Sequence, residues 1–202
     1  MAFGRACQNQ PCAPRGRASS GAPVSSTFDR QTVHMDSEID TEIRPATPAD
    51  AESLARIYNF YVKETTVTFE EQAISAGEIT ARLQEVEGAS LPWLAAEQGG
   101  EVVGYAYATK WKGRSAYRFS TEVTVYVERG RGGRGIGSSL YRHLLPALQS
   151  RGIHAAFGGI ALPNDASVAL HQKFGFEKVA EFREVGFKFD RWIDVGYWQK
   201  IL

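Results

Sequence analysis

The densest chemical signal in the chain is Arg129-Gly130-Arg131-Gly132-Gly133-Arg134-Gly135-Ile136-Gly137. Glycine lets a turn adopt positive φ and lets a ligand approach the backbone closely. Where such a turn opens a helix, unpaired amides and the helix dipole favour an anion, so a phosphate-bearing ligand is the natural guess. Upstream, Glu122 interrupts the apolar run Val123-Thr124-Val125-Tyr126-Val127. Strand alternation puts Glu122, Thr124 and Tyr126 on one face and the three valines on the other. A carboxylate there is costly to bury unless it is paired, as in a salt bridge, or functional. His171, within Leu170-His171-Gln172-Lys173, is by residue type more often a packing or surface residue than a catalyst, and His143 and His154 read as structural. Lys112, Arg114 and Tyr117, in Trp111-Lys112-Gly113-Arg114-Ser115-Ala116-Tyr117, form either a solvated turn or a fork for anionic groups.

These residues need elements to position them. Glu42–Ala46 reads as a short strand, and Thr47-Pro48-Ala49-Asp50 as a helix start with a capping threonine and a proline in the first turn. Leu54, Ile57, Tyr58 and Tyr61 then recur at helical spacing. Ser75 and Glu78 fit a capping box that opens a second helix through Ile79, Leu83 and Val86. Leu91–Glu97 and Val102–Trp111, joined through Gln98-Gly99-Gly100, read as a hairpin. Residues 116–128 give the strongest strand signal. After the glycine-rich turn come a helix from Ile136 to Gln149, a strand over Ile153–Ile160, and a helix capped by Asn164 and ending near Phe174. Strands over Phe176–Val185 and Val195–Ile201 close the chain. The order β-α-α-β-β-β-α-β-α-β-β predicts an α/β (α+β) domain with a mixed, mostly antiparallel sheet flanked by helices.

Composition excludes several classes. The 202 residues suffice for one domain with a real core and are short for two. No stretch approaches the roughly 18 apolar residues of a spanning helix, so no membrane partner is expected. The formal charge of zero argues against nucleic-acid binding through a positive field. Residues 1–34 are rich in Ser, Ala, Gly, Pro and Arg and carry a net +3, which leaves −3 to the remainder. Such a segment cannot bury enough surface to order itself, so residues 1–40 are expected to be a disordered extension, with Met35 the natural start and 41–202 the domain. Cys7 and Cys12 both lie in that extension, which removes thiol catalysis and cysteine metal ligation from the domain. The scattered histidines show no ligand spacing, and no metal is expected. Gly130, Gly132 and Gly135 also satisfy a dinucleotide fingerprint, but Ile153-His154-Ala155-Ala156-Phe157 lacks the acid which that reading wants. An RNA-binding Arg-Gly tract belongs in a disordered segment, and this one joins a strand to a helix.

Gly135-Ile136-Gly137 resembles the end of the acyl-CoA loop of the GCN5-related N-acetyltransferases (GNAT), commonly (Gln/Arg)-x-x-Gly-x-(Gly/Ala). Gly132 stands where that loop has Gln or Arg, and Arg131 and Arg134 sit alongside to supply charge. The segments IYNFYVKETTVTFEE, PWLAAEQGGEVVGYAYATKWKGRSAY, STEVTVYVERGRGGRGIGSSLYRHLL, GGIALPNDASVALHQKFGF and VGFKFDRWIDVGYWQ together resemble phosphinothricin N-acetyltransferases from about Glu42 to the C-terminus. The resemblance implies a GNAT fold and direct transfer from acetyl-CoA to the α-amine of a small amino acid analogue such as phosphinothricin, methionine sulfoximine or methionine sulfone. It places the general base at Glu122, acting through water, and a substrate-facing acid–base or amine-positioning histidine at His171. It assigns Phe69, Lys112, Arg114 and Tyr117 to the acceptor. For acetyl-CoA it assigns the backbone of Val125, Tyr126 and Val127 to pantetheine, and Gly133, Arg134, Gly135, Ile136, Gly137 and Ser138 to the pyrophosphate. Asn164 would reach the pantetheine or thioester region. A homodimer in the cytoplasm is implied as well. The alternatives are a GNAT enzyme for a polyamine, an aminoglycoside or a protein N-terminus, and a non-catalytic acyl-CoA-binding domain.

Overall fold

A computed structural model describes residues 41–202; the expectations about residues 1–40 lie outside the described residues. The strands are β1 (Glu42–Pro45), β2 (Trp93–Gln98), β3 (Glu101–Lys110), β4 (Ser120–Val127), β5 (Ala155–Ala161), β6 (Glu177–Lys188) and β7 (Arg191–Ile201). The α-helices are α1 (Ala51–Glu64), α2 (Ala76–Gly88), α3 (Ile136–Gln149) and α4 (Asp165–Lys173). The strands form one seven-stranded sheet in the order β1-β2-β3-β4-β5-β7-β6, antiparallel except for the β4–β5 pair. This agrees with the mixed, helix-flanked sheet that the sequence predicts.

Local signals account for most of the boundaries. Ser75 accepts from the Glu78 amide at 3.2 Å, and the Glu78 carboxylate accepts from the Ser75 amide at 2.7 Å, which completes the capping box of α2. Pro48–Asp50 forms a single 3-10 turn ahead of α1. The Arg44 guanidinium donates to Asp50 and also to Glu97, tying β1 to that turn.

Two boundaries depart from expectation. The strand expected from residue 116 begins at Ser120, and Ser115–Tyr117 is a 3-10 turn. β3 pairs with β4 only from Lys110 opposite Thr121 onward, so the chain before Ser120 is needed to reverse direction. The last two strands are longer than expected and meet at a two-residue turn. Phe189 and Asp190 take φ of 53° and 56° there, a left-handed geometry usually signalled by Asn or Gly and invisible in Phe-Asp.

The sheet buries one core on each face. Leu54, Tyr58 and Val62 of α1 and Ile79, Leu83 and Val86 of α2 cover Tyr105 and Tyr126 on one face. Leu140, Leu144 and Leu148 of α3 pack with Val103, Ala106, Val123 and Trp198 on the other. Alternation along β3 and β4 thus sends aromatic residues to the α1/α2 face and small or β-branched ones to the α3/α4 face. Among the described residues no helix is long and apolar enough to cross a membrane.

Candidate active site

The site begins where the sheet opens. β4 pairs with β5 over only three positions, Ser120 with Ala155, Thr121 with Ala156 and Glu122 with Phe157, whereas its pairing to β3 continues to Val127. The Glu128 amide donates to Val103 O at 2.8 Å, so alternate residues of β4 (Glu122, Thr124, Tyr126) bond toward β3. Val123, Val125 and Val127 therefore present their backbone groups to the open edge. Tyr126 differs from its expected role: its backbone pairs inward with Tyr105, and its ring is buried against Tyr58, Tyr61 and Tyr105. The Tyr61 hydroxyl donates to Val127 O, leaving Val125 as the less encumbered rung of the edge.

Glu122 stands at the last paired position. Its side chain is half-buried, and among the described residues no hydrogen bond or ion pair reaches its carboxylate. Burial pushes its pKa above the ordinary carboxylate value, and the Lys112 charge opposes that rise. The carboxylate lies over Gly159, where a Cβ would meet Oε1 at 2.9 Å and the Tyr197 ring at 3.2 Å. Trp111 stacks on Phe157 at 4.4 Å and meets Tyr197 edge-on at 5.4 Å, so an aromatic shelf flanks the acid. Beside this shelf, Lys112, Gly113, Arg114 and Tyr117 line a cavity of about 450 Å³. Lys112 Nζ lies 4.8 Å above the Trp111 ring. Phe69 is not among those lining residues; its ring sits against Gly186 of β6, where a Cβ would be 2.3 Å away.

His171 lies elsewhere. It is 3% exposed on the α3/α4 face, and a Cβ on Gly158 would sit 2.2 Å from its Nε2. Nδ1 lies 2.8 Å from Ser167 O and Nε2 lies 3.0 Å from the Tyr141 hydroxyl. A carbonyl only accepts, so Nδ1 carries the proton and Nε2 accepts from Tyr141. Burial lowers the pKa and keeps the ring neutral. Because Gly158 and Gly159 are consecutive in β5, their side-chain positions face opposite sides of the sheet. His171 and Glu122 are thus separated by the sheet, and the expected substrate-facing histidine is a packed, fully bonded one.

The glycine-rich turn lies beyond the open edge. Gly130, Gly133 and Gly135 have φ of 80°, 77° and 84°, backbone that other residues rarely adopt. Gly135 caps α3, so the amides of Ile136, Gly137 and Ser138 have no acceptor within the helix. Arg134 is exposed on the loop. Arg131 is diverted from its expected place alongside the phosphate: Nε donates to Glu128 at 2.7 Å and Nη1 to Gln98 at 3.0 Å. Arg56 also pairs with Glu128 and, with Arg131, holds that carboxyl below its ordinary pKa. Asn164 caps α4 by accepting from the Ser167 amide at 3.2 Å, and among the described residues its Nδ2 makes no hydrogen bond.

Sequence reading missed the paired glycines Gly158 and Gly159, although glycines inside a strand signal a close approach. It also missed Trp111, Phe157 and Tyr197, which look like ordinary strand aromatics. The arrangement fits coenzyme A: the free edge at Val125 can take up an amide-bearing chain as an added strand, and the left-handed glycines with the first amides of α3 form a cradle for a pyrophosphate. Among the described residues no cluster of three or more His, Cys, Asp or Glu is placed to hold a metal.

Residues 43–196 match the family model described as acetyltransferase (GNAT) domain. The chain is 41% identical over 159 residues to the phosphinothricin N-acetyltransferase of Streptomyces viridochromogenes, covering 79% of this chain and 86% of that one. It is 32% identical to the L-methionine sulfoximine/L-methionine sulfone acetyltransferase of Salmonella typhimurium, covering 78% of this chain and 92% of that one. Its fold superposes with a TM-score of 0.78 on the crystal structure of a GNAT phosphinothricin acetyltransferase from Sinorhizobium meliloti in complex with acetyl-CoA, at 33% identity over 80% of this chain and 88% of that one. The chain belongs to the GNAT acetyltransferase family and is an acetyl-CoA-dependent N-acetyltransferase.

Proposed function

We propose that the acceptor is the α-amine of a small, carboxylate-bearing amino acid analogue of the phosphinothricin, methionine sulfoximine or methionine sulfone type. The observation that carries this reading is a desolvated Glu122, without a partner among the described residues, that feels the charge of Lys112, which with Arg114 and Tyr117 lines a cavity. A carboxylate and a phosphinate or sulfone oxygen are acceptors suited to an ammonium and a guanidinium fork. The same cations disfavour polyamines and aminoglycosides, which are themselves polycationic.

When bound, acetyl-CoA supplies the activated acetyl group. Val125, with Val127, would hold its pantetheine arm at the open edge of β4, Asn164 Nδ2 would meet the same arm, and Gly133–Ser138 with Arg134 would hold the pyrophosphate. Arg114, Lys112 and Tyr117 orient the acceptor so that its ammonium lies toward Glu122. An ammonium has no lone pair to attack with, so Glu122 takes a proton from it, directly or through one water. The raised pKa makes Glu122 a better base than an ordinary carboxylate. Phe69 would close the acceptor side by packing on Gly186. His171 and Tyr126 act through packing: they hold β5 and β4 in place from within the two cores. The enzyme is read as a homodimer, because Phe182, Val185, Phe187, Phe189 and Trp192 leave an exposed apolar strip along the β6–β7 hairpin. Its use of acetyl-CoA, a metabolite available in the cytoplasm, supports a cytoplasmic location.

The test is release of coenzyme A thiol from acetyl-CoA with phosphinothricin, methionine sulfoximine and methionine sulfone as acceptors. Turnover with at least one is expected. Turnover only with spermidine, an aminoglycoside or an N-terminal peptide would move the enzyme to another acceptor class. Binding of acetyl-CoA with no turnover on any amine would favour a non-catalytic domain.

A further inference from the structure

The loop that opens α3 is poor in available cations. Gly132 brings no side chain to the position where GNAT loops commonly carry Gln or Arg. Arg131 is held by Glu128 and Gln98, and the Arg129 guanidinium lies 5.1 Å from the Phe60 ring centroid. Only the exposed Arg134 is left on the loop itself.

A cation reaches the same place from another element. Lys173, in the last turn of α4, donates from Nζ to Ser138 Oγ at 3.0 Å. Ser138 is the third residue of α3, one of the three whose amides lack acceptors within the helix, and it is 8% exposed. Gly137 allows the approach of α4, since a Cβ there would come within 3.2 Å of Leu170 Cδ2. Lys173 follows Leu170 by three positions and so lies on the same helix face. An ammonium has three donors, and among the described residues Lys173 uses one.

We propose that Lys173 is a ligand of the acetyl-CoA pyrophosphate, supplying from α4 the positive charge that Gly132 cannot supply from the loop. The assignment rests on acetyl-CoA being the co-substrate. Ser138 holds the ammonium next to the first amides of α3, so one phosphate can accept from backbone and Lys173 together. A lysine that only completed the helix end and braced Ser138 would have no effect specific to phosphate.

The experiment is calorimetric binding of coenzyme A and of 3′-dephospho-coenzyme A to the full chain, as wild type, Lys173→Met and Lys173→Arg. The methionine variant is expected to weaken both ligands alike, by about 5- to 10-fold, as loss of one charge-assisted contact at a part-open site implies. Arginine should restore most of the affinity, and added salt should narrow the gap between wild type and methionine variant. The KM for acetyl-CoA should rise while that for the acceptor stays put. A loss confined to coenzyme A would assign Lys173 to the 3′-phosphate and overturn the proposal. A lowered unfolding temperature with unchanged affinity would overturn it as well, by making Lys173 a brace. If wild type itself failed to bind coenzyme A, the acetyltransferase reading would fall first; wild-type binding with no deficit in Lys173→Met refutes the lysine assignment alone.

Discussion

Gly158 and Gly159 are neighbours in β5, yet they look out on opposite chemistries. Over Gly159 lies Glu122, without a hydrogen-bond partner among the described residues and held above its ordinary pKa by burial. Over Gly158 lies His171, with both ring nitrogens bonded and its pKa lowered. Both groups are titratable and both are desolvated. What separates them is satisfaction: the imidazole is a finished part of the core, and among the described residues the carboxylate has unmet capacity, within reach of the Lys112 charge. A perturbed pKa marks a candidate for chemistry only where the group still has something left to bond.

The largest expected effect breaks this comparison on the acid side. Glu122→Gln should lower kcat by about 100-fold or more, within the range for loss of a general base. Because protonated Glu122 cannot accept a proton, wild-type kcat should fall on the acid side at a pH above the ordinary carboxylate range; in the glutamine variant that limb should give way to a rise set by deprotonation of the acceptor ammonium itself, which moves the optimum to higher pH. Unchanged kinetics would remove Glu122 from the mechanism.

Next come the two glycines themselves. Gly158→Ala places a methyl 2.2 Å from His171 Nε2 inside a filled core and should cost about 1–3 kcal/mol of stability, read from denaturant midpoints. Gly159→Ala meets the movable end of Glu122 at 2.9 Å and should cost less stability but displace the base, reducing kcat in a protein that still folds. Equal behaviour of the two alanine variants would erase the distinction between the faces.

Arg114→Ala addresses the cavity. It should raise the acceptor KM by about ten-fold, the worth of one charged contact, with little change for acetyl-CoA. A defect seen only with acetyl-CoA would move Arg114 out of the acceptor site.

The smallest effect is in the pH dependence of stability on the histidine side. His171 has a folded pKa below its unfolded one, so below the ordinary histidine value the unfolded chain takes up a proton that the folded chain refuses. Its contribution is therefore present at neutral pH and lost as pH falls from that value through the lowered folded pKa. His171→Gln should flatten that part of the stability profile while leaving the acid limb of kcat in place; loss of the limb instead would return His171 to catalysis.

Much of the fold was legible because its signals are local. The Ser75–Glu78 box, the leucine stripe of α3, the Asn164 cap and the glycine turn each act within a few residues, and each element appears where its signal lies. The β6–β7 turn was not legible, because Phe189 and Asp190 are forced into positive φ by the pairing of the strands around them. At the site, Glu122 and the Lys112-to-Tyr117 segment could be found from residue type and resemblance. The diversion of Arg131 could not: its partners Gln98 and Glu128 come from the β2–β3 turn and the end of β4.

By itself, then, the sequence determined which elements form, in what order, and that a carboxylate and an anion cradle lie on consecutive parts of one strand–turn–helix unit. Alternation even fixed that Glu122 and Tyr126 share a face of β4. Only the tertiary structure decided which helices cover that face, that β4 leaves β5 after Glu122, and that His171 is held on the far side of the sheet. The physical reason is range: hydrogen bonding and side-chain alternation order neighbours along the chain, whereas the choice of face depends on which packing buries the most apolar surface, a property of the whole domain.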